Sequence, residues 1–585
     1  MKSATRILAA VLLVTALGVA GAPAQANAVT GVLSGRVVTD SGDPAADIRV
    51  TAQSTDGASQ FGRTGADGSY RFDAVEPGQY ILAVSPRDGV TQYAHGKGFS
   101  FQADKFEVKA GEETVVNETL LPRGNVAGRL VEVDGSPIVN TYTSVRFLDG
   151  EASAFMPIAA DGTWSVDGMP AGRYEVHFFK GDGTIQQAAF GKVGKAQPDV
   201  ITVAANATTT VNDTVVARTS IRVTATNALT GAAVTSFSVS VGPRYGFTEN
   251  GELVVDGIQI GTYDMFVHAE GYLSSNTEVT LTAEGQQHLA VALTPESAIA
   301  VKVVDAATGA PIPGFCVGAF NRERAYVGDG LCGEQTDDEG NLKVGRLEAG
   351  TYQLFATPGY GMPPGYGAQW VGANGGTGRQ LHAKSFTLAV GQTITGTVIK
   401  LDRAGTITGR VSTPDGGLPR FGSVNVLSGH PISGSGLGVP VNEDGTYTLD
   451  FLGPYDWPLL FEAADQASQW SGHVGDRLFA RTVKVNSGAT ATFDFRFRAG
   501  VNVIVKGRPL FDQILLYNAV TGDIMGAAHG FMKDDISELM VGPQLVKLQV
   551  WPSPGDPFWV GGSDFAHAKV YWIPGSGSKT IILGS

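Results

Sequence analysis

The side chains best suited to catalysis are present, but not in catalytic patterns. None of the nine histidines is followed three residues later by glutamate, the HxxE spacing with which many zinc hydrolases hold their metal. No GxSxG segment occurs, so the nucleophilic turn of an α/β-hydrolase is missing. A search for the paired carboxylates of glycoside hydrolases is less decisive, because a chain with 56 acidic residues contains such pairs by accident. The sequence therefore predicts no catalytic residue, no cofactor and no metal site.

The two cysteines, Cys316 and Cys332, are the next candidates for chemistry. A redox or metal role would need a CxxC spacing or nearby histidine ligands, and the sequence around them has neither. An even number of cysteines in an exported chain is typical of a disulfide. We predict a structural disulfide, whose closed loop should stabilise the fold by on the order of 3 kcal/mol.

Three aromatic residues are candidates for ligand binding. Tyr93, Trp370 and Trp470 each follow a glutamine in the similar segments QYAHGKGF, QWVGANGG and QWSGHVGD. A ring exposed near a loop can stack on the C–H face of a sugar. The alternative, which we favour, is that these rings pack in the core, where a large aromatic side chain buries roughly 150–250 Å².

Composition limits the classes of protein. With 585 residues the chain is too long for one hydrophobic core, so several domains are expected. Its 78 glycines and 28 prolines suit many short strands joined by tight turns, and a hydrophobic content of 43% argues against wholesale disorder. A net charge of −14 argues against nucleic acid or anionic lipid as a partner.

The N-terminus has the pattern of a signal peptide. Lys2 and Arg6 precede the apolar run ILAAVLLVTALGVA, and Ala26-Asn27-Ala28 supplies the small side chains that a signal peptidase needs. The apolar run is shorter than the ~20 residues that span a bilayer. We expect cleavage near Ala28, no membrane anchor and an extracellular protein.

One fifteen-residue pattern is repeated along the chain. ADGSYRFDAVEPGQY recurs as ADGTWSVDGMPAGRY, ENGELVVDGIQIGTY and DEGNLKVGRLEAGTY, and EDGTYTLDFLGPYDW is a fifth copy without the final GxY. Each copy alternates apolar and polar residues between two glycine turns, as a hairpin does. The repeated tyrosine begins an inward-facing row, so its predicted role is packing. The first four copies keep one spacing between their two turn glycines: Gly68 and Gly78, Gly162 and Gly172, Gly251 and Gly261, Gly340 and Gly350.

Similar strands surround each hairpin. A β-branched opening strand comes before it, as in LSGRVVTD, VAGRLVEV and ITGRVSTP, and an alternating closing strand ends the segment, as in VVNETLL and TVNDTVVA. No helical periodicity occurs, and strands spaced about 8–12 residues apart are typical of a β-sandwich. The fold class predicted is all-β: a tandem array of about five to six immunoglobulin-like or transthyretin-like sandwiches.

The order of these motifs resembles the carboxypeptidase regulatory-like domain, a transthyretin-like sandwich grouped with Cna B-type and starch-binding-like domains. GxVxDxxGxP, DGxYxF and PGxY appear in that order, and the resemblance covers most of the chain. The YRGS ending of transthyretin-like hydrolases is absent. The predicted segments are a signal peptide (1–28), then units one (29–122), two (123–218), three (219–295), four (296–402, with the disulfide), five (403–498) and six (499–585, a degenerate β domain).

Two functions remain open at this stage. The favoured one is a secreted, non-catalytic array that acts as an extracellular structural, adhesive or interaction protein, bound to polysaccharide or to another extracellular protein. The alternative, implied by the starch-binding-like resemblance, is a carbohydrate-binding accessory to extracellular glycan breakdown; an amylase assignment would rest on fold association alone. We also expect few contacts to cross the unit boundaries.

Overall fold

A computed structural model describes residues 30–54, 59–87, 90–282, 285–321, 332–359, 365–428, 437–507, 513–529, 536–552 and 557–583. The predicted signal peptide lies outside these residues. The regular structure described is strands, apart from 3-10 helices at Ser100–Gln102, Gln380–His382 and Arg477–Phe479. None of the helices described is long and apolar enough to cross a membrane.

The first three units contain strands β1 to β26. In unit one they are β1 (Gly31–Val38), β2 (Arg49–Ser54), β3 (Ser59–Arg63), β4 (Ser69–Val75), β5 (Gly78–Arg87), β6 (Val90–Tyr93), β7 (Phe106–Val108), β8 (Glu113–Val115) and β9 (Glu118–Thr119). In unit two they are β10 (Arg123–Val131), β11 (Thr141–Phe147), β12 (Ser153–Pro157), β13 (Thr163–Pro170), β14 (Gly172–Lys180), β15 (Gln186–Ala188), β16 (Ile201–Val203), β17 (Thr208–Thr210) and β18 (Asp213–Thr214). In unit three they are β19 (Arg218–Asn227), β20 (Ala233–Val234), β21 (Phe237–Val241), β22 (Arg244–Thr248), β23 (Glu252–Gln259), β24 (Gly261–His268), β25 (Ser275–Leu281) and β26 (Gln287–Leu293).

The last three units contain strands β27 to β52. In unit four they are β27 (Ser297–Asp305), β28 (Phe315–Phe320), β29 (Asn341–Leu347), β30 (Gly350–Pro358), β31 (Gln369–Val371), β32 (Gly376–Thr377), β33 (Ser385–Leu388) and β34 (Thr393–Leu401). In unit five they are β35 (Gly405–Ser412), β36 (Ser423–Leu427), β37 (Leu437–Pro440), β38 (Thr446–Leu452), β39 (Asp456–Trp457), β40 (Leu460–Ala463), β41 (Gln466–Trp470), β42 (Val483–Lys484), β43 (Thr490–Thr492) and β44 (Phe495–Arg496). In unit six they are β45 (Val501–Lys506), β46 (Gln513–Asn518), β47 (Ile524–His529), β48 (Ile536–Val541), β49 (Gln544–Trp551), β50 (Phe558–Trp559), β51 (Tyr571–Ile573) and β52 (Ser578–Ile582).

Each unit is built from two sheets around one core. In unit one, β1 pairs antiparallel with β4 and parallel with β8 and β9, while the second sheet has the order β3-β2-β5-β6. Apolar side chains from both sheets, such as Leu33 and Val50, share one buried cluster. The same arrangement, with an opening strand beside a parallel closing strand, recurs in all six units, at β10, β19, β27, β35 and β45. The predicted tandem all-β sandwich fold is confirmed.

Glycine in the opening strand is required by the closing strand. A Cβ atom on Gly128 would lie 1.7 Å from the carbonyl oxygen of Val211, which no side chain can tolerate. Gly409 of unit five has the same relation to Phe493, at 1.9 Å. The glycine that precedes arginine in VAGRLV and ITGRVS therefore permits close approach of the two parallel strands.

The repeated hairpin forms as predicted, with a tight turn at its first glycine. Gly68 has a φ of 78°, and the preceding Asp67 accepts a hydrogen bond from the Ser69 amide at 3.0 Å. Asp161 and Asp444 cap the corresponding turns in the same way. The acidic residues of these turns thus bind their own backbone.

The repeated tyrosine of the hairpin is buried, and its hydroxyl also has a specific partner. The ring is at most 7% exposed in all four copies, which confirms the predicted packing role. In each copy the hydroxyl donates to the carbonyl oxygen four residues earlier, which fixes the second turn against the strand. These bonds join Tyr80 to Glu76, Tyr174 to Pro170, Tyr263 to Gln259 and Tyr352 to Glu348, at 2.9, 2.5, 2.8 and 3.0 Å.

The last three units are joined by shared cores and by one continuous sheet. Phe355 and Trp370 of unit four belong to the same buried cluster as Ile407 of unit five. A bridge between Ser468 and Val541 links units five and six into a sheet of order β37-β36-β40-β41-β48-β45-β52. The expectation that few contacts cross the boundaries near 402 and 498 was therefore wrong, because large apolar side chains of one unit pack on the next.

Candidate functional site

The three aromatic residues singled out from the sequence are buried. Tyr93 is 8% exposed, Trp370 3% and Trp470 0%. Rings enclosed to this degree offer no open face on which a sugar could stack. Their burial favours the packing interpretation over the stacking one.

All three of these residues lie where one unit meets the next. The Tyr93 hydroxyl donates to a carboxylate oxygen of Glu151 in unit two, at 2.6 Å, and burial together with this contact raises the pKa of the tyrosine. The Trp370 ring lies 5.1 Å from that of Phe355, within the cluster shared with unit five. Trp470 packs with Met525 of unit six. The aromatic residue after each of these glutamines thus lies at a junction, where one unit contacts the next.

The glutamine before each of these aromatic residues binds the backbone at the end of its own unit. The Gln92 side chain accepts from the Leu121 amide at 2.8 Å and donates to the Thr119 carbonyl at 2.9 Å. Gln469 does the same with a single residue, Arg498, whose amide and carbonyl it contacts at 3.2 and 2.6 Å. A primary amide can satisfy one donor and one acceptor of an extended chain at once. We call this arrangement the glutamine clamp.

The clamp recurs in units two and four with contacts that reach the following unit. Gln187 binds the Val216 amide at 2.9 Å and accepts from the Gln259 side chain of unit three at 2.8 Å. Gln369 donates to the Lys400 carbonyl at 3.0 Å and accepts from the Tyr455 hydroxyl of unit five at 2.7 Å. All four clamp glutamines are at most 4% exposed. Their recurrence in the sequence was visible, but their partners lie too far along the chain to be predicted.

A buried ion pair holds units four, five and six at one point. The Arg477 guanidinium of unit five donates to the Asp523 carboxylate of unit six and to the side chain of Gln380 in unit four. The side chains of Arg477 and Asp523 are 12% and 3% exposed. Burial, and repulsion by Asp523, raise the pKa of the nearby Glu462 to about 7. This cluster connects three units through side-chain contacts.

Cys316 and Cys332 are joined by a disulfide, as the sequence predicts, with their Cα atoms 4.9 Å apart. Cys316 lies in β28 and is fully buried. The bond therefore closes a loop within unit four. Its place inside one sandwich is that of a structural crosslink.

Histidines and acids in the described part of the chain form pairs rather than larger clusters that could hold a metal ion. No three His, Cys, Asp or Glu residues described lie close enough to hold a metal ion. His95 contacts Asp104 at 2.8 Å, His177 contacts Glu175 at 3.3 Å and His567 contacts Asp564 at 2.8 Å. Each is a pair of one histidine and one carboxylate, and the His177–Glu175 pair is part-buried.

Exposed aromatic rings occur elsewhere, on the outer face of the second sheet in units one to three, and the sequence reasoning missed them. These rings alternate with inward-facing residues along their strands. The signal in the sequence was therefore an aromatic residue at a position where the alternation predicts a solvent-facing side chain. Tyr142 stacks on Phe155 and Phe179 of neighbouring strands, with ring centres 5.2 and 6.2 Å away. The most exposed of these rings are Phe61 (72%), Tyr245 (69%), Phe155 (61%), Phe247 (55%) and Phe266 (48%).

Comparison with known proteins agrees with the fold. Residues 32–121 match the family model of the carboxypeptidase regulatory-like domain. The predicted resemblance is confirmed for unit one. No curated protein matches the chain.

Several solved structures are similar in part. The Bacillus anthracis TIE protein is 14% identical over 64% of this chain and 69% of its own, with a TM-score of 0.15. A minor pilin of Streptococcus agalactiae is 14% identical over 32% of this chain and 95% of its own, with a TM-score of 0.21. The major pilin subunit of Bacillus cereus is 13% identical over 48% of this chain and 99% of its own, with a TM-score of 0.15. No function is inferred from likenesses this distant.

Proposed function

We propose that the chain is an extracellular, non-catalytic structural array that holds its sandwich units, and the surfaces they carry, in fixed positions relative to one another. The observation that carries this proposal is the glutamine clamp with its neighbouring junction residues. A flexible chain of independent domains needs no such contacts, because a polar linker suffices. Here the clamp satisfies the backbone at the end of a unit, and the next residue or its neighbours contact the following unit.

The array is expected to behave in solution as one ordered body rather than as domains on loose linkers. Small-angle X-ray scattering of residues 29–585 tests this expectation. A single set of distances between units should fit the wild-type curve. Substituting Gln187→Leu and Gln469→Leu should broaden the distance distribution, whereas Gln79→Leu, at an exposed position of unit one, should not. A wild-type curve that requires freely rotating units would refute the proposal.

An extracellular location is the second component of the proposal. It is supported by the signal-peptide pattern of residues 1–28 and by a disulfide, which persists in oxidising compartments. The full chain, expressed in a bacterium with a general secretion system, should accumulate in the medium with Val29 at its N-terminus. A chain lacking residues 1–28 should stay in the cell. Retention of the full chain in the cytoplasm would contradict this location.

We do not favour a carbohydrate-binding role for Tyr93, Trp370 or Trp470. These rings form junctions, and substituting them would alter the array before it altered any ligand contact. A glycan site on this chain has to use rings that reach solvent.

A further inference from the structure

Units two and three enclose a cleft of about 600 Å³. One wall is formed by β14 and β15, with Phe179 and Gln186, and the other by β21 and β24, with Ser240 and Phe266. The loop that contains Lys195 also lines the cleft. One aromatic ring from each unit therefore borders the same cleft: Phe266 is 48% exposed, and Phe179 is half-buried.

The two units that line the cleft are joined by direct contacts. The Lys195 amide donates to the Thr262 carbonyl at 2.8 Å, which attaches the loop that contains Lys195 to β24. Arg218, the boundary residue with which β19 begins, forms an ion pair with Glu132 of unit two at 3.1 Å. Together with the Gln187–Gln259 bond, these contacts connect the units at separate points. A site preformed in this way costs little ordering when a ligand binds.

The charged side chains of the cleft already have partners within the protein. Lys195 contacts Asp264 at 2.8 Å and Glu278 at 2.9 Å, which raises the pKa of the lysine. Lys192 contacts Asp199 at 3.4 Å, and His177 contacts Glu175. An anionic or cationic ligand would have to compete with these pairs. The cleft therefore favours a ligand without charge.

The backbone of the walls leaves no free edge for a peptide strand. In β15, the edge strand of its sheet, the Gln186 amide donates to the Gln259 side chain at 2.8 Å and the Ala188 amide donates to the Lys192 carbonyl at 2.7 Å. On the opposite wall, β21 and β24 are each paired on both sides. An extended peptide cannot add to either sheet by strand pairing here.

From these observations we propose that this cleft binds a neutral oligosaccharide. The groups it presents are the rings of Phe179 and Phe266, the carboxamide of Gln186 and the hydroxyl of Ser240. Aromatic faces pack against the C–H faces of sugar rings, and uncharged amide and hydroxyl groups exchange hydrogen bonds with sugar hydroxyls. A volume of about 600 Å³ lies within the ~300–1,000 Å³ usual for ligand clefts. The proposal goes beyond the structural role and stands or falls separately from it.

The test is binding of residues 29–585 to an array of neutral oligosaccharides that includes glucans, mannans and chitin fragments. Heparin, chitosan oligomers and decaproline serve as anionic, cationic and peptide probes. We expect retention on at least one neutral glycan, weakened at least tenfold by Phe179→Ala and by Phe266→Ala. Phe61→Ala, which removes an exposed ring of unit one, is the matched control and should bind like the wild type.

A second variant keeps the test valid if the alanine substitutions disturb the units. Ser240→Trp adds a side chain at the cleft wall without removing an aromatic residue, so it should block binding while the melting temperature stays within a few degrees of wild type. The proposal is overturned if no neutral glycan is retained, or if the cleft variants bind like the wild type. Preference for heparin, chitosan or decaproline over every neutral glycan would also overturn it.

Discussion

The indole Nε1 of Trp457 donates a hydrogen bond to the carbonyl oxygen of Gly453, four residues earlier, at 2.8 Å. This is the bond that the tyrosine hydroxyl makes in the first four hairpins. The fifth hairpin ends in DW rather than GxY, so an indole has replaced a phenol at the same point of the fold. Both Trp457 and Gly453 are buried.

Trp457→Phe should destabilise unit five because it removes one of two donors to the buried Gly453 carbonyl, which also accepts from the Tyr455 amide at 2.7 Å. The expected loss from this hydrogen bond is about 1 kcal/mol of unfolding free energy, in addition to the loss of ring volume. Trp457→Tyr, which restores the group that the other hairpins use, should recover part of the loss. Urea denaturation measures both, and Trp572→Phe, at a 56% exposed ring, is the control. Equal stability of the Phe and Tyr variants would show that the bond contributes nothing.

Gln469→Leu should weaken the end of unit five. The substitution keeps the size of the side chain but leaves the Arg498 amide and carbonyl without their side-chain partner, at a cost of about 2 kcal/mol. Hydrogen exchange at the Arg498 amide should accelerate, since local opening is easier. Gln79→Leu in unit one should leave that exchange rate unchanged. An unchanged rate in Gln469→Leu would mean that the clamp is incidental.

Trp470→Ala should destabilise units five and six together. A fully buried tryptophan replaced by alanine costs roughly 3–5 kcal/mol, and here the cavity opens against Met525 of the next unit. Limited proteolysis should spare the segment near residue 498 in the wild type and cut it in the variant. Trp572→Ala should not expose this segment. Rapid cleavage of the wild type near 498 would contradict the shared core.

The stability of the junction between units five and six should fall as the pH rises from about 4.5 to about 7. Glu462 has a pKa raised to about 7 by burial and by Asp523, so the folded state retains a proton that the unfolded chain releases at lower pH. The stabilisation from this group is present below the unfolded pKa and is lost as the pH passes the folded one. Glu462→Gln should therefore raise the unfolding temperature at pH 8 and have little effect at pH 4.5. Parallel pH profiles for the two proteins would rule out this role.

Reduction of the Cys316–Cys332 disulfide should lower the stability of unit four by on the order of 3 kcal/mol. Unit one should be unaffected, because distant sites contribute nearly independently. Mass spectrometry of the secreted, unreduced protein should find neither thiol alkylated. Two alkylated thiols in the native protein would contradict the bond.

The fold was predictable because its signals are local. A turn glycine such as Gly68, an alternating strand and a buried tyrosine such as Tyr80 define one hairpin, and five copies define an array. The junctions were not predictable in the same way. Tyr93, Trp370 and Trp470 were recognised as a recurring position, but whether such a ring faces solvent or the next unit depends on residues about 30 to 90 positions away.

The cleft was missed for a related reason. Phe179 and Phe266 belong to different units, and each looks like an ordinary residue on the outer face of a strand. Only the contacts that fix unit two against unit three bring them to one opening. The replacement of tyrosine by Trp457 was also not predicted. The fifth hairpin keeps the four-residue spacing between the side-chain donor and the carbonyl acceptor, but the donor is an indole instead of a phenol.

The parallel pairing of opening and closing strands has a mechanical consequence. Because β27 and β34 run in the same direction, the chain enters unit four at one end of the sheet and leaves at the other. Tension applied to the two ends pulls these strands past each other along their length, so the hydrogen bonds between them bear the load simultaneously instead of breaking one after another. Every unit has this pairing, and a chain of such units is suited to transmitting force without unravelling.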